Sequence, residues 1–334
     1  MTFDLSFIWA VIILVGVTVY IIADGFDLGV GILLPFVKDE ASRDEFIDTI
    51  SPVWDGNETW LVLGGAALMG AFPVAYSVIL DAFMLPIIIM LFALILRGVA
   101  FEFRVHSPSG HKGLWTVAFV VGSYVTTFMQ GMMAGAFLEG FSVSNVDSVI
   151  RFVGKGTDWI SPFSILTGLS LVVMFALLAN FWGAMKGHDT LRLQLESKYK
   201  GIIYLFLLVL VAIFVAMSFS GRLAPALVGT RLYLVAGSMI IIALIVILLL
   251  FKSMGNGARF CLTMLSVVCG MIGYVSLFFP YIIPPSITLE MAASAGSSQM
   301  FGLVGTLIFL PIIIAYLLWT YYVFRGKVSE GDGY

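Results

Sequence analysis

The chain has 334 residues, 60% of them hydrophobic and only 11% charged, and carries a formal net charge of −3 with a mean hydropathy of +1.07. These proportions exclude a water-soluble domain and leave no basic surface for nucleic acid; they describe a chain solvated by lipid.

The first apolar stretch, Leu5 to Ala23, has no basic flank and no small-residue cleavage site, and it runs on into Asp24 and Asp27. It is therefore expected to stay in the mature chain as a membrane helix rather than to act as a signal peptide. Further uncharged runs follow at Gly113 to Leu138, Trp159 to Met185, Gly201 to Gly221, Leu232 to Phe251, Phe260 to Leu289 and Phe301 to Phe324. Each is about long enough to cross the hydrocarbon core. Thr59 to Leu96 holds one charge, Asp81, but would be roughly twice the bilayer thickness as one helix. It must be two spans, broken near Ala71-Phe72-Pro73-Val74 because Pro73 cannot continue a helical ladder unaided.

The fold class predicted is an all-α membrane protein of nine transmembrane helices in one membrane domain, near residues 5–36, 51–72, 75–101, 113–138, 159–185, 201–221, 231–252, 260–283 and 301–325. With the N-terminus periplasmic and the C-terminus cytoplasmic, thirteen basic residues fall inside, from Lys38 and Arg43 through Arg97, Arg104, Lys112, Lys186, Arg192, Lys198, Lys200, Lys252 and Arg259 to Arg325 and Lys327. Only Arg151, Lys155, Arg222 and Arg231 fall outside, as the positive-inside rule requires. The polar connections around Asp39 to Asp48 and Ser142 to Asp158 read as loops. Thr49-Ile50-Ser51-Pro52 and Trp159-Ile160-Ser161-Pro162 both read as a Ser N-cap followed by Pro at the first helical position. Cys261 and Cys269 share one predicted helix about 12 Å apart along its axis, too far to pair.

Three clusters carry chemistry. Asp24 and Asp27 interrupt an apolar helix three residues apart, hence on one face, and intramembrane carboxylates point to function. Gly25 and Gly29 add a small-xxx-small pattern for close helix approach. The competing reading ends the helix early and leaves both acids in a wet loop. Trp54-Asp55-Gly56-Asn57-Glu58-Thr59-Trp60 opens the second helix, with Asp55 and Glu58 again on one face; acids at a helix N-terminus also suit the macrodipole, and the tryptophans an interfacial belt. Arg97-Gly98-Val99-Ala100-Phe101-Glu102-Phe103-Arg104 ends the third helix, where the arginines serve either as interfacial anchors or, in the case of Arg97, as the counter-charge of a buried carboxylate. All three clusters lie in the cytoplasmic half, where proton uptake would begin.

His106, His111 and His188 are the only histidines and fall in predicted cytoplasmic loops, so no haem ligation within the bundle is expected. The sixteen methionines are read as packing. No phosphate-binding loop, zinc motif or nucleophile elbow is present.

The three motifs, in this order, resemble subunit II of the cytochrome bd ubiquinol oxidases: Asp24-Gly25-Phe26-Asp27-Leu28-Gly29-Val30-Gly31, Ser51-Pro52-Val53-Trp54-Asp55-Gly56-Asn57-Glu58-Thr59-Trp60, and Arg97 to Arg104. The likeness extends to Phe279-Pro280 through Pro284-Pro285-Ser286 and to Ser297-Ser298-Gln299. The short connection between helices 6 and 7 and the Asn57-Glu58-Thr59-Trp60 form are similar to the cyanide-insensitive branch. The resemblance implies a bacterial inner-membrane heterodimer in which subunit I holds all three haems, of b and d or modified b type, and the quinol-oxidising loop. It further implies quinol oxidation near the outer face, reduction of oxygen to water with protons from the cytoplasm, charge separation without pumping, and no activity from this chain alone. A small single-helix subunit and a structural quinone are further candidates on the same ground.

On this basis Asp55, then Asp27, with Asp24 and Glu58, are expected to line a proton path, supported by Arg97, Glu102, Asn57, Trp54 and Trp60. Two other readings remain. One is a purely structural subunit of the same oxidase. The other is a proton-coupled transporter, disfavoured because Pro86 and Pro311, the prolines well inside predicted spans, adjoin no charged site.

Overall fold

The computed structural model describes residues 4–107, 111–146, 149–219 and 230–328; Arg222, counted above on the outer side, lies outside them. Helix α1, Leu5–Leu33, continues into a short 3-10 turn, Leu34–Phe36. Then come α2 (Glu40–Asp48), α3 (Trp54–Ala71), α4 (Pro73–His106), α5 (Lys112–Glu139), α6 (Pro162–Lys186), α7 (Asp189–Glu196) and α8 (Tyr199–Phe219). The helices Thr230–Leu249, Asn256–Phe278 and Gly296–Val323 complete the bundle, with a single turn at Leu289–Ala292.

Eight helices among the described residues are long and apolar enough to cross a membrane, and the chain is a multi-pass membrane protein. The helix expected from sequence as the second span, α3, forms but is not one of the eight, because its 18 residues begin with Trp54-Asp55-Gly56-Asn57-Glu58. The break between α3 and α4 falls where Pro73 predicts it, at Phe72, whose φ of −135° and ψ of 64° leave the helix. Within α4 the backbone departs from helical geometry at Phe83, beside Ala82, the residue whose carbonyl the Pro86 ring displaces.

Local expectations met mixed outcomes. Ser161 does cap α6: its hydroxyl accepts from the Ser164 backbone N–H at 2.9 Å, Ser164 Oγ accepts from the Ser161 N–H, and Pro162 is the first helical residue. Ser51 and Pro52 do not play these parts for α3. A tight turn in which the Val53 and Trp54 N–H groups both bond to the Ile50 carbonyl delays the helix to Trp54. The expected loop at Asp39 to Asp48 is instead α2, capped by Asp39, which accepts from the Ser42 N–H at 2.8 Å, and pinned by buried Phe46 and Ile47. Ser142 to Asp158 contains an antiparallel hairpin, Val143–Val146 with Val149–Phe152. A second small hairpin pairs Tyr281–Ile283 with Ile287–Thr288. Helix α7, unforeseen, docks through Leu191 and Leu195 one turn apart.

The core lies where α1 and α6 cross. Every residue of 23–34 is buried, as is every residue of 173–184, so each helix is enclosed by its neighbours over three turns. Phe26 stacks on Trp182 with centroids 4.3 Å apart. Helices α3, α5 and α6 surround α1, while the last helix packs mainly on α3 and α1, meets α6 through Tyr321 against Trp182, and buries just Gln299.

Candidate functional site

Close packing puts two carboxylates in the middle of the bundle. A Cβ on Gly29 would overlap the Phe175 carbonyl of α6, and one on Gly31 would overlap the Ser123 hydroxyl of α5. Only glycine lets α1 lie this near both neighbours, and that contact draws Asp24 and Asp27 out of reach of solvent. Both side chains are fully buried. The reading of a wet loop is thereby overturned: the helix continues to Leu33.

Arg97 of α4 supplies the counter-charge. Its Nη1 donates to Asp24 Oδ1 at 2.8 Å, with 2% and 0% of the two side chains exposed. Its guanidinium also sits 6.0 Å from the centroid of Trp54, which leans on Phe101. Asp27 is held from α3: Asn57 Nδ2 donates to Asp27 Oδ2 at 2.8 Å. Asn57 in turn accepts, through Oδ1, a 2.8 Å bond from the Tyr321 hydroxyl of the last helix. On the other side Tyr20, one turn before Asp24 and interacting with it, accepts from Gln130 Nε2 of α5 at 2.5 Å. Five helices thus contribute to one polar chain through an apolar core.

This chain has spare capacity. Asp24 Oδ2, Asp27 Oδ1 and Arg97 Nη2 are buried and find no partner among the described residues. Such groups are costly unless water or a mobile proton serves them. Two carboxylates share one guanidinium, Asp24 through an ion pair and Asp27 only through the neutral Asn57 amide.

The remaining sequence candidates are placed differently. Glu58 is half-buried, Trp60 is buried, and Asp55 is exposed on the outer face of α3. Glu102 is also exposed and its carboxylate joins no ion pair of the cluster. Arg104, bracketing Glu102, is buried and binds α2 instead, through Glu40 at 2.7 Å and Asp44 at 2.7 Å. Lys112 joins Asp44 at 2.6 Å, so α2 is clamped to the α4–α5 turn. Tyr20, Gln130 and Tyr321 carried no signal in sequence, because a tyrosine or glutamine in an apolar helix is ordinary until a carboxylate is found opposite it.

The histidines stand at helix ends: His106 closes α4, His111 precedes α5, and His188 precedes α7 and meets Glu45 at 2.9 Å. His106 and His188 are exposed, which does not suit haem ligation within the bundle. No group of three metal-ligating side chains is assembled among the described residues.

Residues 5–324 match the family model described as cytochrome bd terminal oxidase subunit II. The chain is 29% identical to the cytochrome bd ubiquinol oxidase subunit 2 of Bacillus subtilis, covering 98% of this chain and 97% of that one. It is 28% identical to a probable cytochrome oxidase subunit 2 of Haemophilus influenzae, over 97% and 95%. Against the cytochrome bd-I ubiquinol oxidase subunit 2 of Escherichia coli K12 the identity is 25%, over 98% and 96%. In fold it is similar to a chain of the bd oxidase from Geobacillus thermodenitrificans, with a TM-score of 0.74 at 18% identity over 96% of this chain and 99% of that one. The motifs around Asp24, Asn57 and Arg97 thus come together as one buried cluster in a bundle of this fold, and the chain belongs to the cytochrome bd terminal oxidase subunit II family.

Proposed function

We propose that the chain is the haem-free subunit of a quinol:oxygen oxidoreductase of the bacterial inner membrane, and that its buried acids carry protons from the cytoplasmic side toward oxygen reduction. The names of its relatives, each a subunit 2 of a cytochrome bd ubiquinol oxidase, support membership of such a complex; the partner we assign is a haem-bearing subunit I. Haem held by subunit I supplies the electron transfer and oxygen chemistry; this chain holds and passes protons. Quinol oxidised near the outer face and protons drawn from the inner face separate charge without a pump. The whole chain forms one membrane domain with α3 as its ninth span, N-terminus outside, an orientation supported by the thirteen basic residues on one side.

The observation that carries this reading is the unbalanced pair at Arg97. Asp24 is paired, so Asp27, bonded to a neutral amide and keeping a free buried oxygen, is the group that accepts and releases the proton. Asp55 and Glu58 share a face of α3 and form the step from its exposed side to Asp27. The last helix, which packs on α3, buries only Gln299 and leaves Phe301, Tyr316 and Trp319 each more than 60% exposed. This is the apolar surface we assign to subunit I.

Asp27→Asn and Asp55→Asn variants of the assembled oxidase test the path. Quinol-driven oxygen uptake should fall at least tenfold while the reduced-minus-oxidised haem spectrum and subunit ratio stay unchanged. If both variants keep full turnover, the subunit is a structural partner only.

A further inference from the structure

The C-terminal tail builds a basic pocket that the proton-path reading does not use. At the end of the last helix Gly326 adopts a φ of +106°, turning the chain back; this left-handed conformation favours glycine. The turn is fastened to the end of α6 from both sides. Lys186 Nζ donates to the Phe324 carbonyl at 2.5 Å, and the Val328 N–H donates to the Lys186 carbonyl at 3.2 Å. Beneath the turn lies a cavity of about 340 Å³ lined by Trp182, Met185, Lys186, Tyr321, Arg325 and Lys327. A neighbouring cavity of about 190 Å³ shares Lys186, Arg325 and Lys327 and reaches Asp48 and Pro52.

The wall of the first cavity is sorted by chemistry. Three cations form the rim, and the floor is apolar and aromatic. Lys186, half-buried, lies 5.2 Å from the Trp182 ring centroid, and Arg325, exposed, stacks 4.0 Å from that of the exposed Tyr322. Asp189, 3.9 Å from Lys327, offsets one charge. Among the described residues no carboxylate lines the larger cavity itself. Cations around an apolar slot at the membrane-water boundary suit a phosphate group, and a slot that continues between helices suits one carrying acyl chains.

We propose that this pocket binds a phosphate-bearing anion, with Arg325 and Lys327 as the headgroup ligands and Trp182, Met185 and Tyr321 as the seat for what the headgroup carries. Tyr321 links it to the buried cluster, since the same hydroxyl donates to Asn57. An occupant would thereby brace the last helix against α3 and α6.

The test uses the intact oxidase complex, delipidated and reconstituted in nanodiscs of phosphatidylcholine with increasing phosphatidylglycerol, and read by native mass spectrometry. The comparison is the double variant Arg325→Gln/Lys327→Gln, which leaves the Lys186 tether in place; unchanged haem content certifies its assembly. The proposal expects one fewer phosphatidylglycerol retained, or at least about tenfold weaker retention, in the variant. Retention unaffected by inorganic phosphate assigns the site to a lipid headgroup. Displacement by inorganic phosphate, with phosphate alone bound by wild type and not by the variant, assigns it to free phosphate. Equal retention of both probes by the two proteins overturns the proposal, whatever becomes of the Asp27 path.

Discussion

Arg97 of α4 and Asp24 of α1, 73 positions apart, meet at 2.8 Å in a region where neither side chain exceeds 2% exposure. Removing one partner of such a pair leaves a charge stranded in the core. Arg97→Leu is expected to cost about 3–5 kcal/mol, seen as loss of assembled complex. Combining it with Asp24→Leu should restore part of the yield, since the stranded charge is then gone. Equal damage from single and double variants would show that Arg97 acts through other contacts.

Tyr321→Phe tests the second branch. The substitution keeps the ring and deletes only the donor to Asn57 Oδ1, an acceptor of a fully buried amide. Leaving it unsatisfied costs about 1–3 kcal/mol. The melting temperature of the complex should fall, and oxygen uptake with it, because a freed Asn57 amide no longer holds Asp27 in one orientation. A variant as stable and active as wild type would remove Tyr321 from the network.

Gly29→Ala adds a single methyl where the Phe175 carbonyl already stands. Backbone cannot yield as a flexible side chain can, so α1 and α6 must part. The expected result is failure to accumulate in the membrane, whereas Gly65→Ala, with open space around it, should accumulate normally. Blotting both variants against wild type decides the matter.

Helix α2 should respond to pH through two acids of opposite bias. The Ser42 backbone N–H holds the Asp39 carboxyl below its ordinary value of 3.8. Its cap therefore contributes fully above that value and is lost as pH falls through the lowered folded pKa. Burial, reinforced by the nearby Asp44, pushes Asp48 up from 3.8, so its ionisation opposes docking as pH rises through the raised value. Hydrogen exchange of amides 40–48 should quicken for Asp39→Ala at neutral pH and slow for Asp48→Asn. If both variants exchange like wild type, neither acid governs the helix.

Much of this architecture is local and so was legible in the sequence. Runs of apolar residues set by bilayer thickness placed the long helices, and Pro73 marked the break between α3 and α4. Asp24 and Asp27 stood out because charges in apolar helices are expensive, and the demand for a counter-charge made Arg97 a candidate beside its reading as an interfacial anchor. Short amphipathic helices escaped notice: Phe46 with Ile47 in α2, and Leu191 with Leu195 in α7, are too few to set a period, yet suffice once a core is there to receive them.

The sequence by itself determined that this is a lipid-solvated bundle with two carboxylates and an arginine in its apolar helices, because hydropathy and helical spacing are properties of neighbouring residues. Only the tertiary structure decided which charges meet. The delayed start of α3 at Trp54 turns Asn57 inward and leaves Asp55 exposed, and the last helix brings Tyr321 to Asn57 across 264 positions. The physical reason is that partner choice depends on which helix faces are pressed together, and here glycines 29 and 31 set that by how closely they let α1 approach α6 and α5.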